Sequence, residues 1–177
     1  GLPIYHLEIE EVDEPEAYGI ASAKDQAAIV FRAAAKIIMA NPYLTSRYKV
    51  LETTKRILRR DGRGFYAVLS ADGDVQDGKR PSLLLFDELH RFTKKKAETV
   101  RTVLKKGMIS RAPVIDGIET GEPLMIQTTT SGDEYECPLW FQEYEYAQGV
   151  KSGAIDDKKY FAAIYQADPK RIEAEAD

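Results

Sequence analysis

The sequence predicts an α/β protein whose sheet is mainly parallel and is covered by helices on both faces. Four consecutive apolar residues, Leu83 to Phe86, cannot alternate between a buried and a solvated side, so they favour a strand buried on both faces. A second apolar segment, Ala17 to Ala21, is followed directly by a helical pattern. A strand followed by a helix is half of the βαβ unit from which parallel sheets are built.

Composition and charge are those of one soluble globular domain. The chain has 177 residues, of which 44% are hydrophobic and 31% charged, and no apolar run approaches the roughly 20 residues of a membrane-spanning helix. The formal net charge of −4 excludes a surface that is basic throughout, as in many nucleic-acid-binding domains. A single cysteine, Cys137, cannot form an internal disulfide, and the two histidines do not have the spacing of zinc ligands. Cys137 is expected to be a small core residue.

The first elements are a helix end, a strand and a long helix. Residues 1–6 are typical of the end of a helix, and an acidic loop separates them from the strand at 17–21. Ser22 and Asp25 have the spacing of a capping box, so a helix should begin near Ala23, and Asn41-Pro42 should end it. Its buried face is predicted to comprise Ala27, Val30, Phe31, Ala34, Ile37 and Ile38.

Residues 43–60 fit a helix or an edge strand equally well. The turn at 61–64, Asp-Gly-Arg-Gly, favours a hairpin whose second strand is Phe65 to Leu69. A loop from Ala71 to Ser82 then leads to the strand at 83–86. Residues 73–80 of this loop have the spacing of a phosphate-binding loop, but they precede a strand instead of opening a helix, and Arg80 replaces the hydroxyl residue that binds magnesium. We therefore reject this segment as a phosphate-binding loop.

The second half alternates helices and strands. A helix is predicted from Thr93 to Lys106, with Gly107 as its stop, followed by a strand from Pro123 to Gln127. A further helix should run from Pro138 to about Gln148, with Gly149 as its cap. The predicted buried stripe of the first helix is Ala97, Val100, Val103 and Leu104, and that of the second is Trp140, Phe141 and Tyr144. Lys159 to Tyr165 is predicted to be a last strand, before a charged tail.

Asp87 and Glu88 follow the buried strand at once. Ligands of open α/β sheets bind at the carboxyl ends of the strands, so this pair is a candidate magnesium and water-activating site. An ordinary helix start, with Asp87 as the N-cap and Glu88 in the first turn, explains the two residues alone equally well. Thr128, Thr129 and Thr130 end another predicted strand, and their hydroxyls could bind a phosphate, although threonines are also common in strands and turns.

Several segments in the same order resemble the large terminase subunit of tailed bacteriophages, and the likeness covers nearly the whole chain. The segments are Ala21-Ser-Ala-Lys-Asp-Gln-Ala27, Val68-Leu-Ser-Ala-Asp72, Asp77-Gly78, Pro81-Ser82, Asp87-Glu-Leu-His90 and Gln127-Thr-Thr-Thr-Ser-Gly132, with Val150, Gly153, Asp156-Asp157, Phe161 and Ile164-Tyr165 near the end. The resemblance implies a P-loop NTPase-like fold of the RecA type, with the strand before Asp87 central. It also implies an ATPase domain at 1–167 and the start of a linker at 168–177.

The resemblance also implies roles for particular residues. Asp87 would bind Mg²⁺, Glu88 would be the catalytic carboxylate, and Thr128, Thr129 and Thr130 would sense the γ-phosphate of ATP and couple hydrolysis to movement. Arg111 lies where an arginine finger for a neighbouring subunit is conceivable. The Walker A loop and the nuclease domain of that family have no counterpart in these residues, so we expect a fragment that is inactive alone and a sheet that is incomplete on its N-terminal side. An unpaired strand edge would promote self-association.

The expected function is that of an ATP-driven motor that packages DNA. The implied cofactors are ATP and Mg²⁺. The implied partners are double-stranded DNA, the portal protein, the small terminase subunit and further copies in a ring, in the host cytoplasm at the procapsid and not at a membrane. Two alternatives stay open at this point. They are a helicase-like P-loop ATPase, because Asp-Glu-Leu-His also resembles the helicase Asp-Glu-x-His box, and a non-catalytic DNA- or protein-binding module.

Overall fold

The computed structural model describes residues 1–8, 14–22, 24–70, 78–93, 95–109, 111, 114–115, 118–119 and 122–166. The helices are α1 (Leu2–Glu8), α2 (Lys24–Ala40), α3 (Pro42–Arg47), α4 (Lys95–Ile109) and α5 (Pro138–Ser152), with a short 3-10 helix at Leu89–Arg91. The strands are β1 (Glu16–Ala21), β2 (Tyr48–Leu51), β3 (Arg56–Arg59), β4 (Phe65–Ser70), β5 (Leu83–Phe86), β6 (Val114–Ile115), β7 (Ile118–Glu119) and β8 (Leu124–Gln127). The chain divides into two compact units, with the boundary in the sequence after Trp140.

The first unit is built on a six-stranded sheet in the order β2-β3-β4-β1-β5-β8. Strands β4, β1, β5 and β8 are parallel, while β2 and β3 are antiparallel to their neighbours. The parallel sheet, the hairpin at 61–64 and the predicted strands at 17–21, 65–69, 83–86 and 123–127 are confirmed. The strand before Asp87 is not the central one, because β5 lies between β1 and the edge strand β8.

Helices cover both faces of this sheet, as predicted, because side chains of successive strand residues point to opposite faces. Ala17 and Ala21 of β1 face a core that includes Phe31 and Ile38 of α2. Tyr18 and Ile20 face the opposite core, with members from α4 and the start of α5, namely Val100, Leu104, Met108 and Leu139. In the described part of the chain, no helix is long and apolar enough to cross a membrane.

The buried stripe of α2 differs in part from the prediction. Its fully buried members are Ala28, Phe31, Ala34, Ala35 and Ile38. Ile37 is exposed, since a turn of 3.6 residues rotates it about 100° away from Ile38. Val30 packs only partly against the core, and the side chain of Ala27 and the Ser22–Asp25 capping box lie outside the described residues.

Two glycines that were predicted to end helices lie within them. Helix α4 continues through Gly107 to Ile109, and a Cβ atom at Gly107 would overlap the carbonyl oxygen of Lys79. Helix α5 continues through Gly149 to Ser152, and a Cβ atom at Gly149 would lie 2.6 Å from Cδ1 of Ile155. Both positions are glycine because another segment packs closely there. Gly153, with φ +78°, follows the end of α5 in the left-handed conformation typical of a helix stop.

The second unit corrects two further predictions. Residues 160–166 form neither a helix nor a strand, and Phe161 and Tyr165 are 89% and 95% exposed, so the predicted last strand is wrong. A strand needs partners for its backbone groups, and the chain instead turns locally, with the Lys159 backbone N–H donating to Oδ1 of Asp157 at 2.9 Å. On α5, Leu139 and Ala147 are buried, while the predicted Trp140, Phe141 and Tyr144 are half-buried. The predicted tail at 168–177 lies outside the described residues.

Gly19 gives a prediction about stability. A Cβ atom at Gly19 would overlap the hydroxyl oxygen of Tyr66 and lie 3.1 Å from its Cζ atom. We expect Gly19→Ala to lower the free energy of unfolding by about 1–3 kcal/mol through overpacking. Tyr66→Phe should recover part of this loss in the double variant, because it removes the overlapping atom.

The single Tyr66→Phe variant is the control. Among the described residues, the Tyr66 hydroxyl has no hydrogen-bond partner, so removing it should leave stability nearly unchanged or raise it. Urea unfolding of the four proteins measures each effect. Equal losses for Gly19→Ala in the tyrosine and phenylalanine backgrounds would contradict the proposed overlap.

Candidate functional site

The candidate site lies where the parallel strands β1, β5 and β8 end. The hydrogen-bond ladder continues past the last strand residues: the Asp87 N–H donates to the Ile20 carbonyl at 3.1 Å, and the Thr128 N–H donates to the Phe86 carbonyl at 2.9 Å. The Leu89 N–H then donates to the Thr128 carbonyl at 3.0 Å. The backbone therefore places the Asp87-Glu88 pair beside the threonine segment, as the sequence predicted for neighbouring strand ends.

Asp87 and Thr128 are in direct contact. The Thr128 hydroxyl donates to Oδ1 of Asp87 at 2.8 Å. Within the described residues, Oδ2 of Asp87 has no hydrogen-bond partner. The carboxylate is thus oriented through one oxygen while the other is available to a ligand, which is the arrangement that Mg²⁺ uses when it takes one carboxylate and keeps its waters.

Glu88 leaves the strand in a strained conformation. Its backbone has φ 58° and ψ 54°, in the left-handed region that non-glycine residues rarely adopt. Glu88 precedes the 3-10 helix at 89–91, and its side chain makes no capping hydrogen bond. A short helix does start here, but Glu88 and not Asp87 is at its N-cap position, and the longer helix α4 begins only at Lys95. Asp87 as the N-cap and Glu88 in the first turn, the alternative that the sequence equally allowed, is therefore wrong.

The His90 side chain connects Glu88 with the threonine segment. Its Nε2 atom lies 3.3 Å from Oε2 of Glu88. On the other side of the ring, Nδ1 lies 3.2 Å from Oγ1 of Thr129 and 3.3 Å from Oγ1 of Thr130. The His90 backbone N–H also donates to Oγ1 of Thr129 at 3.1 Å. The sequence analysis gave His90 no role, although its position two residues after Glu88 was visible.

The turn that carries His90 is held from below. Leu89 is almost completely buried in the core beneath α4, and the thiol of Cys137 donates to the Leu89 carbonyl at 3.3 Å. Gly132 packs against the turn so closely that a Cβ atom there would lie 2.9 Å from Cβ of His90. Cys137 is completely buried, as predicted, and its role is to fix this turn.

Tyr66, a buried tyrosine on β4, has a pKa that depends on the charge of Asp87. Burial raises the pKa of the Tyr66 hydroxyl, and the negative charge of Asp87 raises this pKa further. Tyr66 therefore stays neutral at physiological pH and acts as a packing residue on β4, not as an acid or a base.

Arg111 lies at the amino ends of strands β1 and β5, whereas the candidate site lies at the carboxyl ends. Its guanidinium donates to the backbone carbonyls of Glu14 and Arg80, which precede β1 and β5. Asp87 follows β5, so the length of the strand separates Arg111 from the carboxylates of its own chain. The predicted finger role toward a neighbouring subunit stays a prediction.

The donor set fits Mg²⁺ held jointly with a ligand. Among the described residues, no group of three or more His, Cys, Asp and Glu side chains is arranged to hold a metal ion. Mg²⁺ in nucleotide-hydrolysing proteins is bound by one or two carboxylates together with phosphate oxygens and water. One carboxylate with an accessible oxygen, as at Asp87, suits that mode of binding.

The sequence and the fold are both similar to those of large terminase subunits. Residues 7–149 match the family model described as the ATPase domain of the terminase large subunit. The structure resembles the large terminase of bacteriophage HK97, with a TM-score of 0.62 and 23% identity over 86% of this chain and 29% of that one. It also resembles the large terminase ATPase domain of Thermus phage P74-26, with a TM-score of 0.55 and 16% identity over 80% of this chain and 55% of that one. No curated protein sequence matches significantly.

The environment of Cys137 gives a prediction for the turn beneath the site. The native thiol should react with a thiol reagent such as DTNB only when the turn at 89–91 opens. An opening free energy of about 3 kcal/mol makes the reaction about 100-fold slower than that of an exposed thiol. A Tyr135→Cys, Cys137→Ser variant provides that exposed thiol, because Tyr135 is 85% exposed. Equal labelling rates for the two thiols would contradict the burial of Cys137.

Proposed function

Because the chain belongs to the family of terminase large subunit ATPase domains, we propose that it hydrolyses ATP to drive the translocation of double-stranded DNA into a phage procapsid. The observation that supports this best is the meeting of Asp87, Glu88 and the Thr128–Thr130 segment at the carboxyl ends of β5 and β8. The family match decides against the helicase-like ATPase, which shares only the Asp-Glu-x-His spacing.

Asp87 binds Mg²⁺ in this proposal. The ion, when bound with ATP, neutralises the charge that develops on the phosphates during hydrolysis. The Thr128 hydroxyl donates to Oδ1 of Asp87, which leaves Oδ2 for the ion in this proposal. Because the backbone N–H of Asp87 is bound to β1, the carboxylate is placed by an inner part of the sheet and not by a loose loop.

Glu88 orients the attacking water and accepts its proton. Its carboxylate is about one-third exposed, so it can reach a water molecule, and it follows directly after the residue assigned to the ion. The left-handed backbone at Glu88 turns the chain out of the line of the strand. Hydrolysis of a phosphoanhydride depends mainly on such positioning and on electrostatic stabilisation.

The threonine segment senses the γ-phosphate and transmits its loss. Thr128 contacts Asp87, while Thr129 and Thr130 contact His90, whose ring lies beside Glu88. A change in their hydrogen bonds on phosphate release would reach β8 through the backbone. Arg111 would act as an arginine finger toward a neighbouring subunit, for which its guanidinium has to leave the carbonyls of Glu14 and Arg80.

The wider assembly is proposed from the family. A packaging motor acts as a ring of copies on the portal protein, with the small terminase subunit delivering DNA, in the host cytoplasm. Residues 1–167 would be the ATPase domain. This chain covers 29% of the length of the HK97 large terminase, so turnover is measured in the complete product of the gene that contains these residues.

Glu88→Gln tests the water-activating role. It should lower ATP turnover by about 10²–10⁴-fold, the usual contribution of a general base, while nucleotide binding by fluorescence titration is unchanged. Glu52→Gln, at an exposed turn between β2 and β3, is the control and should keep full turnover. Turnover of Glu88→Gln at the wild-type rate would remove Glu88 from this role. Tight, salt-sensitive DNA binding without any effect of nucleotide would instead favour the non-catalytic binding module.

Asp87→Asn tests the magnesium role. It removes the charge but keeps the shape of the side chain, so the Mg²⁺ concentration that gives half-maximal turnover should rise by at least about tenfold. Thr128→Val should raise it by less, since only the orientation of Asp87 is lost; orienting partners of metal ligands contribute about 10–100-fold at most. A titration of ATPase activity with Mg²⁺ measures both. An unchanged Mg²⁺ requirement in Asp87→Asn would contradict the assignment.

A further inference from the structure

We propose that His90 is a positioning residue, which joins the carboxylate of Glu88 to the hydroxyls of Thr129 and Thr130 so that the orientation of the carboxylate depends on the conformation of the threonine segment. The inference rests on the proposed function, because it concerns the residue assigned there to water activation. His90 contacts both Glu88 and the threonine segment.

The proposed connection requires one tautomer of His90. An ionised carboxylate can only accept a hydrogen bond, so the 3.3 Å contact between Nε2 of His90 and Oε2 of Glu88 connects the two groups only when Nε2 carries a hydrogen. In the Nε2–H tautomer, Nδ1 is an acceptor.

In that tautomer the ring accepts from the threonine segment. The single hydrogen of the Thr129 hydroxyl is donated to the Thr130 carbonyl at 2.7 Å, so none is left for Nδ1, which lies 3.2 Å from the Thr129 oxygen. The hydroxyl of Thr130, 3.3 Å from Nδ1, is therefore the donor to the ring in this proposal. The proposed chain of donors runs from Thr130 through His90 to Glu88.

The His90 ring is held in place by its surroundings, so a movement of the threonines changes its hydrogen bonds and not its position. The ring is only 20% exposed, and its turn is fixed by the buried Leu89, by the thiol of Cys137 and by Gly132. Thr129 and Thr130, in contrast, are exposed. Glu88 makes no capping bond and has a strained backbone, so contact with His90 is what orients its side chain. A shift of Thr130 thus removes the hydrogen bond that Nδ1 of His90 accepts. The ring can then turn in place, which changes the contact between Nε2 and the Glu88 carboxylate.

Kinetics of the complete gene product test the inference. His90→Ala should lower kcat by about 10–100-fold, the usual effect of losing an orienting partner, with the KM for ATP and the melting temperature unchanged. Thr130→Val should lower kcat by less. The loss in the double variant should equal that of His90→Ala alone, because both residues act in one chain, whereas independent residues would give the product of the two losses.

Two variants test separately the contact of His90 with Glu88 and its contact with Thr130. His90→Gln keeps a donor at the distance of Nε2 and should recover most of kcat, but Thr130→Val should have no effect in that background. His90→Asn keeps an acceptor near Nδ1 and cannot reach Glu88, so it should resemble His90→Ala. Arg91→Ala is the matched control in the same turn. Its side chain bonds Gln26 of α2, so kcat should stay within about twofold of the wild type.

Nuclear magnetic resonance gives a readout that is independent of turnover. Imidazole ¹⁵N spectra should show the Nε2–H tautomer for His90, and Thr130→Val should shift the Nδ1 resonance of His90 but not that of His6, the other histidine of the chain. His90→Gln assigns the signal by removing it.

The outcomes separate the inference from the proposed function. Wild-type kcat in His90→Ala, multiplicative losses in the double variant, an equal loss in Arg91→Ala or the Nδ1–H tautomer would each overturn the role of His90, while an inactive Glu88→Gln variant keeps the proposed function. Wild-type turnover in Glu88→Gln overturns both.

Discussion

The geometry of the site depends on the backbone ladder on the two sides of β5. This strand is paired with β1 on one side and β8 on the other, and the pairing continues beyond Phe86 to Asp87, Thr128 and Leu89. A shift of the strand end would leave buried backbone groups without partners, at a cost of about 1–3 kcal/mol for each. Asp87 is therefore fixed before any ligand binds, which removes the need to reorganise it during the reaction.

The left-handed backbone at Glu88 is the second consequence of this fixed end. The ladder bonds of Asp87 and Leu89 point to opposite neighbours, so the residue between them has to reverse the direction of the chain. A non-glycine residue does this at a cost of roughly 1–2 kcal/mol. The buried Leu89 and the bond from Cys137 offset that cost. Strain at such a position is typical of functional sites, where the surrounding structure determines the conformation.

Sequence patterns predicted the parts of the fold in which local and tertiary preferences agree. The apolar run at 83–86 and the turn at 61–64 are examples, because a buried strand and a glycine turn each have few alternatives. The apolar run from Tyr160 to Tyr165 was wrongly predicted to be a strand, since whether it pairs depends on a neighbouring strand that the local sequence does not reveal. Gly107 and Gly149 were mistaken for helix stops for the same reason: their small size serves contacts with Lys79 and Ile155, which are distant in sequence or follow a turn.

The site was predictable in its residue types but not in its connections. Adjacent carboxylates after a buried strand and hydroxyls after the next parallel strand must meet at one sheet edge. The position of Arg111 and the contact of His90 with Thr129 and Thr130 depend on how loops and short turns pack, for which the sequence has no periodic pattern.

A difference in exposure between the two parts of the site explains how a fixed site can still report a change. Asp87 is partly buried and Leu89 is almost completely buried, whereas Thr128, Thr129 and Thr130 are exposed. Exposed residues lose fewer contacts when they move, so the threonines can shift at a lower cost than Asp87 can. Loss of a phosphate would thus move the threonines first. The carboxylates would keep their place, and the contacts of Thr128 with Asp87 and of His90 with Thr129 and Thr130 would transmit the change.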